Sequence, residues 1–211
     1  MARPVGRTNS DYEEKRTALL VALQPLVFTA NPSRPSLREL AKGAGVQPNT
    51  LRHYFGDRAG VLLALIAFVA EKGRPYLDWV GTMASRPPEA AIPQLMQTML
   101  VAWNSHFGEM LAGALAEGMG EPAVGPAYLD GVLDPTLRAV EALLQRYVEA
   151  GALPAMDVRT ASMSLIAPVY FALMHQGPLG GSETRPMELE AMVEAHVAAW
   201  LRGWGQGATG A

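Results

Sequence analysis

Apolar residues recur every three or four positions along most of the chain, and nowhere do they alternate singly with polar ones as a half-buried strand requires. The pattern predicts an all-α protein whose segments are separated by clusters of Pro, Gly, Asn and Ser. A first helix runs from Ser10, a residue suited to cap it, through "YEEKRTALLVALQPLVFTA", and "NPSRP" at 31–35 ends it. Pro25 inside that run lacks an N–H and predicts a kink. A short helix over 36–43, a tight break at "AGV", a second short helix over 48–55 and a long one over 57–80 complete a compact head.

After a connection at 84–93, with Pro88 suited to the first turn of a helix, Ile92, Leu95, Met96, Met99, Leu100, Trp103 and Phe107 form one buried stripe. A break at "GMGEPAVGP" precedes a helix whose stripe is Leu133, Leu137, Val140, Leu144, Tyr147 and Val148. The last two helices span 157–176 and 187–204. The first of them is apolar nearly all round, and the second carries the stripe Met192, Val193, His196, Val197, Trp200, Leu201, Trp204. Two such helices side by side predict burial against a second subunit. The implied interface is Leu165, Pro168, Val169, Met192, Val193, His196, Val197, Trp200 and Leu201. The Gly-rich tail from 205 is expected to fray.

Within "SLRELAKGAGVQPNTLRHYF", Leu37, Leu40 and Ala41 point one helix inward, Val46 plugs the turn, and Leu51 with Phe55 anchors the next helix. Gly45 stands where the chain must turn sharply, in dihedrals that cost glycine nothing. These are the demands of a helix-turn-helix at about 36–55. Gln47, Asn49, Thr50, Arg52, His53 and Tyr54 are then left to point away from the core, as the donors of a major-groove reader do.

Charge sharpens that picture. Residues 1–75 carry 11 Lys and Arg against 6 Asp and Glu, residues 76–211 carry 6 against 14, and the net charge of −3 conceals the asymmetry. A basic head on an acidic body suits a nucleic-acid partner. The absence of cysteine excludes disulfides, thiolate metal sites and thiol nucleophiles. Neither an export signal nor a run of about 18 apolar residues is evident, so a cytoplasmic protein with no membrane partner is expected.

With the segment after it, this stretch reads "LRELAKGAGVQPNTLRHYFGDRAGVLLAL" and resembles the DNA-binding domain of the TetR family of bacterial transcriptional regulators. The resemblance covers residues 10–75, about a third of the chain; the remainder is similar in architecture only. It implies a three-helix DNA-binding domain over 1–56, a connecting helix over 57–80 and a helical effector-binding and dimerisation domain over 81–211. By resemblance, Ser36 touches phosphate, Arg38 reaches a base edge, and Gln47, Pro48, Asn49 and Thr50 open the recognition helix. Asn49 would read bases and Thr50 hold phosphate, while Tyr54 and Arg58 clamp the backbone. Arg52 departs from the tyrosine usual in the family, and "NPSRP" stands where a glycine is usual. An arginine there suits a charge-assisted phosphate bond or a bidentate contact to guanine.

The resemblance also implies a homodimer on a palindromic operator, released by a small apolar effector. Met99, Trp103, His106, Phe107, Met110, Met163, Tyr170, Met174 and His175 are the expected pocket lining, weighed against an ordinary core. Two rivals belong to other classes: an all-α enzyme using His106 or His175 as a base, and a helical interaction module. The enzyme has no motif behind it, since no G-x-S-x-G, phosphate loop or dinucleotide fingerprint occurs. No cofactor is expected. Among His106, His175 and His196, only His106 has a carboxylate at metal-ligand spacing, Glu109.

Overall fold

The structure, a computed structural model, describes residues 5–28 and 34–205, with the backbone alone for 5–9 and His106. All of its elements are helical: α1 (Val5–Val27), α2 (Leu37–Gly43), α3 (Pro48–Phe55), α4 (Arg58–Thr82), α5 (Pro88–Trp103), α6 (His106–Gly120), α7 (Val124–Tyr128), α8 (Asp134–Glu149), α9 (Val158–Gln176), α10 (Gly181–Thr184) and α11 (Leu189–Gly205). A 3-10 turn over Met83–Ser85 follows α4, and a π-helical turn over Leu129–Leu133 precedes α8. No single helix among the described residues is long and apolar enough to cross a membrane. Residues 31–33 of "NPSRP" and the tail from 206 lie outside the described residues.

The chain divides into two compact units, each of two separate stretches. One unit comprises the described residues of Met1–Glu71 together with Met110–Leu129; the other comprises Lys72–Glu109 and Asp130–Ala211 as far as residue 205. The C-terminal half of α6 therefore belongs with the head. Gly113 of α6 lies so close to Phe28, at the end of α1, that a Cβ there would stand 2.6 Å from the Phe28 Cα. Helix α1 contributes Leu19, Leu20, Leu23 and Val27 to this unit's core, α2 and α3 contribute Leu40, Ala41 and Leu51, and α4 contributes Val61, Leu62, Leu65, Ile66 and Val69.

The second unit packs α5, α8, α9 and α11 around Ile92, Leu95, Leu143, Leu144, Leu165, Val169, Val193 and Trp200. The apolar stripe from Ile92 to Phe107 spans two helices, α5 and α6. Asn104 caps α5 with its N–H on the Leu100 carbonyl, and the Ser105 hydroxyl accepts from Phe107 N at 3.2 Å to start α6. Helix α1 begins at Val5 rather than Ser10, whose hydroxyl instead donates to Glu14 Oε1 at 3.0 Å. Pro25 sits near the end of α1, where the chain still closes a bond from Phe28 N to Gln24 O.

The predicted dimer stripe proves to be this unit's own core. Leu165, Val169, Val193, Val197 and Trp200 are all buried within a single chain. Trp200 Nε1 donates to Ala161 O at 3.2 Å and Ser164 Oγ at 3.0 Å, and His196 Nε2 lies 2.9 Å from Leu165 O. Helix α9 packs chiefly on α8 and α11 on α5, and these contacts bury the five within one chain. Pro168, Met192, His196 and Leu201 are half-buried. The open side of α9 is different: Met163, Ala167 and Phe171 are exposed there, Phe171 by 68%.

Candidate nucleic-acid interface

Local chemistry fixes where α2 begins and ends. Ser36 closes a reciprocal cap with Glu39: the serine hydroxyl accepts from Glu39 N, and Glu39 Oε2 accepts from Ser36 N at 2.8 Å. The Ser36 backbone N–H, and after it the hydroxyl, holds the Glu39 carboxyl below its usual value. A depressed acid stabilises the fold above the ordinary carboxyl range and loses that contribution as pH falls through its folded value. Titration followed by NMR should therefore show the Ser36 amide losing its downfield, bonded position only below the usual glutamate range. Loss at or above that range would show the cap to be absent in solution.

At the other end Val46 N bonds Ala41 O at 2.9 Å and Gly45 N bonds Lys42 O at 3.2 Å, with Gly45 at φ +68°. This paired closure is a Schellman motif, and it needs a left-handed residue at 45. Pro48 then starts α3 with φ already set, and Leu51, wholly buried, fixes its inner face. What remains outside is Gln47, Asn49, Arg52 and His53, all exposed, with Pro48, Thr50 and Tyr54 half-buried. Ser36 and Arg38 are exposed at the start of α2.

Two features of this surface are not legible in the pattern. Arg52 Nη1 donates to Asn49 Oδ1 at 3.2 Å, so the residue that departs from the family pattern is tied to the one expected to read bases. The bond orients the guanidinium along the outer face of α3 and leaves the Asn49 amide N–H groups to donate elsewhere. Helix α1 also takes part: Tyr12 stacks on Tyr54 at 4.7 Å and meets His53 edge-on at 6.0 Å, while the Arg16 guanidinium lies over the Phe55 ring at 5.6 Å. Tyr54 and His53 are therefore braced from behind. Periodicity gives no sign of the parts that Tyr12 and Arg16 play, because their partners lie some forty residues away in sequence.

Arg58 differs from its expected role as a clamp on the DNA backbone. Its Nε donates to Pro35 O at 2.9 Å and its Nη2 lies 2.8 Å from Glu117 Oε1, with the arginine side chain 21% exposed. Its guanidinium faces α6 because a buried carboxylate holds it there.

The expected effector lining separates as well. Trp103 meets Tyr170 edge-on at 5.4 Å, and Met99 packs with Trp103 against the core of the second unit. Phe107 lies beside Gly73, and Met174 and His175 are half-buried. Met163 is 47% exposed, on the open face of α9, and so does not line an enclosed site; Met110 is buried in the other unit. The side chain of His106 is outside those described. His175 lies against Gln176, 2.8 Å from its Nε2, and no grouping of acids and histidines able to hold a metal occurs among the described residues.

An all-helical chain whose second and third helices close through a left-handed glycine, with a polar helix offered outward, defines the class of helix-turn-helix transcriptional regulators. Residues 86–199 match the tetracyclin repressor-like C-terminal domain. The chain belongs to the TetR family. It is 27% identical over 164 residues to the HTH-type transcriptional regulator EthR of Mycolicibacterium smegmatis, covering 76% of this chain and 72% of that protein. Among solved structures it shares its fold with the TetR-family regulator PfmR of Thermus thermophilus, at 22% identity and a TM-score of 0.61 over 87% of this chain and 97% of that one. It likewise resembles the flavonoid-responsive regulator FrrA, at 20% identity and a TM-score of 0.67 over 93% and 100%. The family consists of regulators, not enzymes, which removes the histidine-base alternative.

Proposed function

We propose that this protein is a homodimeric repressor that binds a palindromic operator in the cytoplasm and is released by a small apolar effector. The observation that carries the reading is the outward face of α3, where Gln47, Asn49 and Arg52 are exposed on a helix anchored by Leu51. Arg38 and Thr50 would add contacts at its edge, Ser36 and Tyr54 would meet the backbone, and Pro48 and His53 would line the groove wall. Lys and Arg supply salt-dependent affinity; base contacts supply choice. Two copies would set their α3 helices in successive major grooves about 34 Å apart.

The second copy would seat on the open side of α9, where Met163, Ala167 and Phe171 leave apolar surface uncovered in a family whose members act as dimers. Trp103 and Tyr170 would begin an effector site, since their rings meet edge-on at 5.4 Å, and Met99 packs on the same core as Trp103. The effector must favour one head spacing over the other, or it shifts nothing. Footprinting on DNA upstream of the protein's own gene tests this. The expected result is a symmetric pair of protected blocks that weaken steeply with salt and disappear on adding a suitable small apolar compound. Binding that ignores salt and sequence would exclude the reading.

A further inference from the structure

The C-terminal end of α6 meets the helix-turn-helix at both of its flanks, and arginine makes each meeting. Ahead of α2, Arg34 Nη1 donates at 3.1 Å to the carbonyl of Gly120, the last residue of α6. Such carbonyls have no partner within their helix and carry the negative end of its dipole. Behind α3, in the first turn of α4, Arg58 joins Glu117 at 2.8 Å while its Nε holds the Pro35 carbonyl at 2.9 Å. The two grips converge, since Arg34 and Pro35 are neighbours and Pro35 precedes the Ser36 cap.

We propose that Glu117 is a positioning residue for DNA recognition: through Arg58 and the Pro35 carbonyl it fixes where α2 begins, and so the attitude in which α3 is offered to the groove. The inference rests on the DNA-binding reading above and adds to it the part played by α6. Glu117 has only 7% of its side chain exposed, and its Oε2 has no hydrogen-bond partner among the described residues. Drawing Arg58 out to a phosphate would therefore strand a buried charge, which is strongly unfavourable. That asymmetry is why Arg58 is assigned to holding the head together rather than to gripping DNA. Gly120 answers the same need, because a Cβ there would fall on the Arg34 guanidinium and push it off the helix end.

The test uses the full-length protein, its own upstream DNA and three variants, Glu117→Ala, Glu117→Gln and Gly120→Ala. Specific affinity should fall about tenfold in Glu117→Ala, the equivalent of one lost hydrogen-bonded charge contact. The slope of affinity against salt should not change, because no phosphate contact is lost. Glu117→Gln keeps an acceptor for Arg58 and should recover part of the loss, and Gly120→Ala should act in the same direction. Amide exchange should quicken in 36–55 and stay unchanged in α9 and α11. Tighter binding with a steeper salt slope in Glu117→Gln would overturn the proposal, since Glu117 would then compete with phosphate for Arg58. Unchanged exchange in 36–55 would overturn it as well. Should Glu117→Ala not fold, Glu117→Gln and Gly120→Ala decide by the same criteria. Wild-type protein that binds no DNA would refute the DNA-binding reading alone, and the exchange measurement would still judge the coupling.

Discussion

Arg52→Ala is expected to abolish the preference for one base pair in each half-site while leaving the fold intact. The side chain is exposed, and alanine suits a helix interior, so folding has nothing to lose there. A bidentate arginine–guanine contact is worth about 1–3 kcal/mol of discrimination, which a dimer would use twice. Competition with operator variants checks it: wild-type protein should reject a G-to-A change at the contacted position, and the variant should not. Asn49→Ala should weaken the same preference, because the guanidinium loses the acceptor 3.2 Å away that orients it, and should add a defect of its own at the base its amide would read. Were Arg52 a phosphate ligand instead, affinity would fall alike for every sequence and the salt slope would shrink by about one per contact. Undiminished affinity and preference would remove Arg52 from the interface.

A larger loss is expected from Phe171→Asp. Phe171 is 68% exposed on the open side of α9, with Met163 on the same side at 47%. In a dimer built on that face the new carboxylate would be buried without a partner, a penalty of several kcal/mol. In the isolated chain it would stay solvated, so the melting of each protomer should barely move. Sedimentation should report a monomer. A monomer engages one half-site at a time, and its operator affinity should drop about a thousandfold, toward the non-specific range. A variant that remains dimeric and binds normally would place the dimer contact elsewhere.

What the sequence made legible follows from how local the responsible chemistry is. Ser36, Gly45 and Pro48 act within a few residues of themselves, and the bounds of α2 and the start of α3 follow from them to within a residue or two. Asn104–Ser105 also acts locally, yet an uninterrupted apolar stripe on either side hides it. Helix α9 is apolar on both faces, so periodicity reveals that it is covered twice but not which face its own chain covers; that is settled by α8 and α11. Arg58 is the sharpest case. The pattern supplies a cation after the recognition helix, whereas its partner Glu117 lies 59 residues further on in an unrelated helix.

The head is assembled from two separated stretches of chain, and this bears on how such genes can be recombined. A single crossover after residue 56 would carry α1–α3 into a new host but leave Arg34 without the carbonyl of its own α6 and the loop before α2 without its Glu117-held tether. Transplanting the DNA specificity of this protein therefore calls for two grafts, with 110–129 travelling alongside the N-terminal stretch. Lineages that exchange only the front piece should be found mending α6 afterwards.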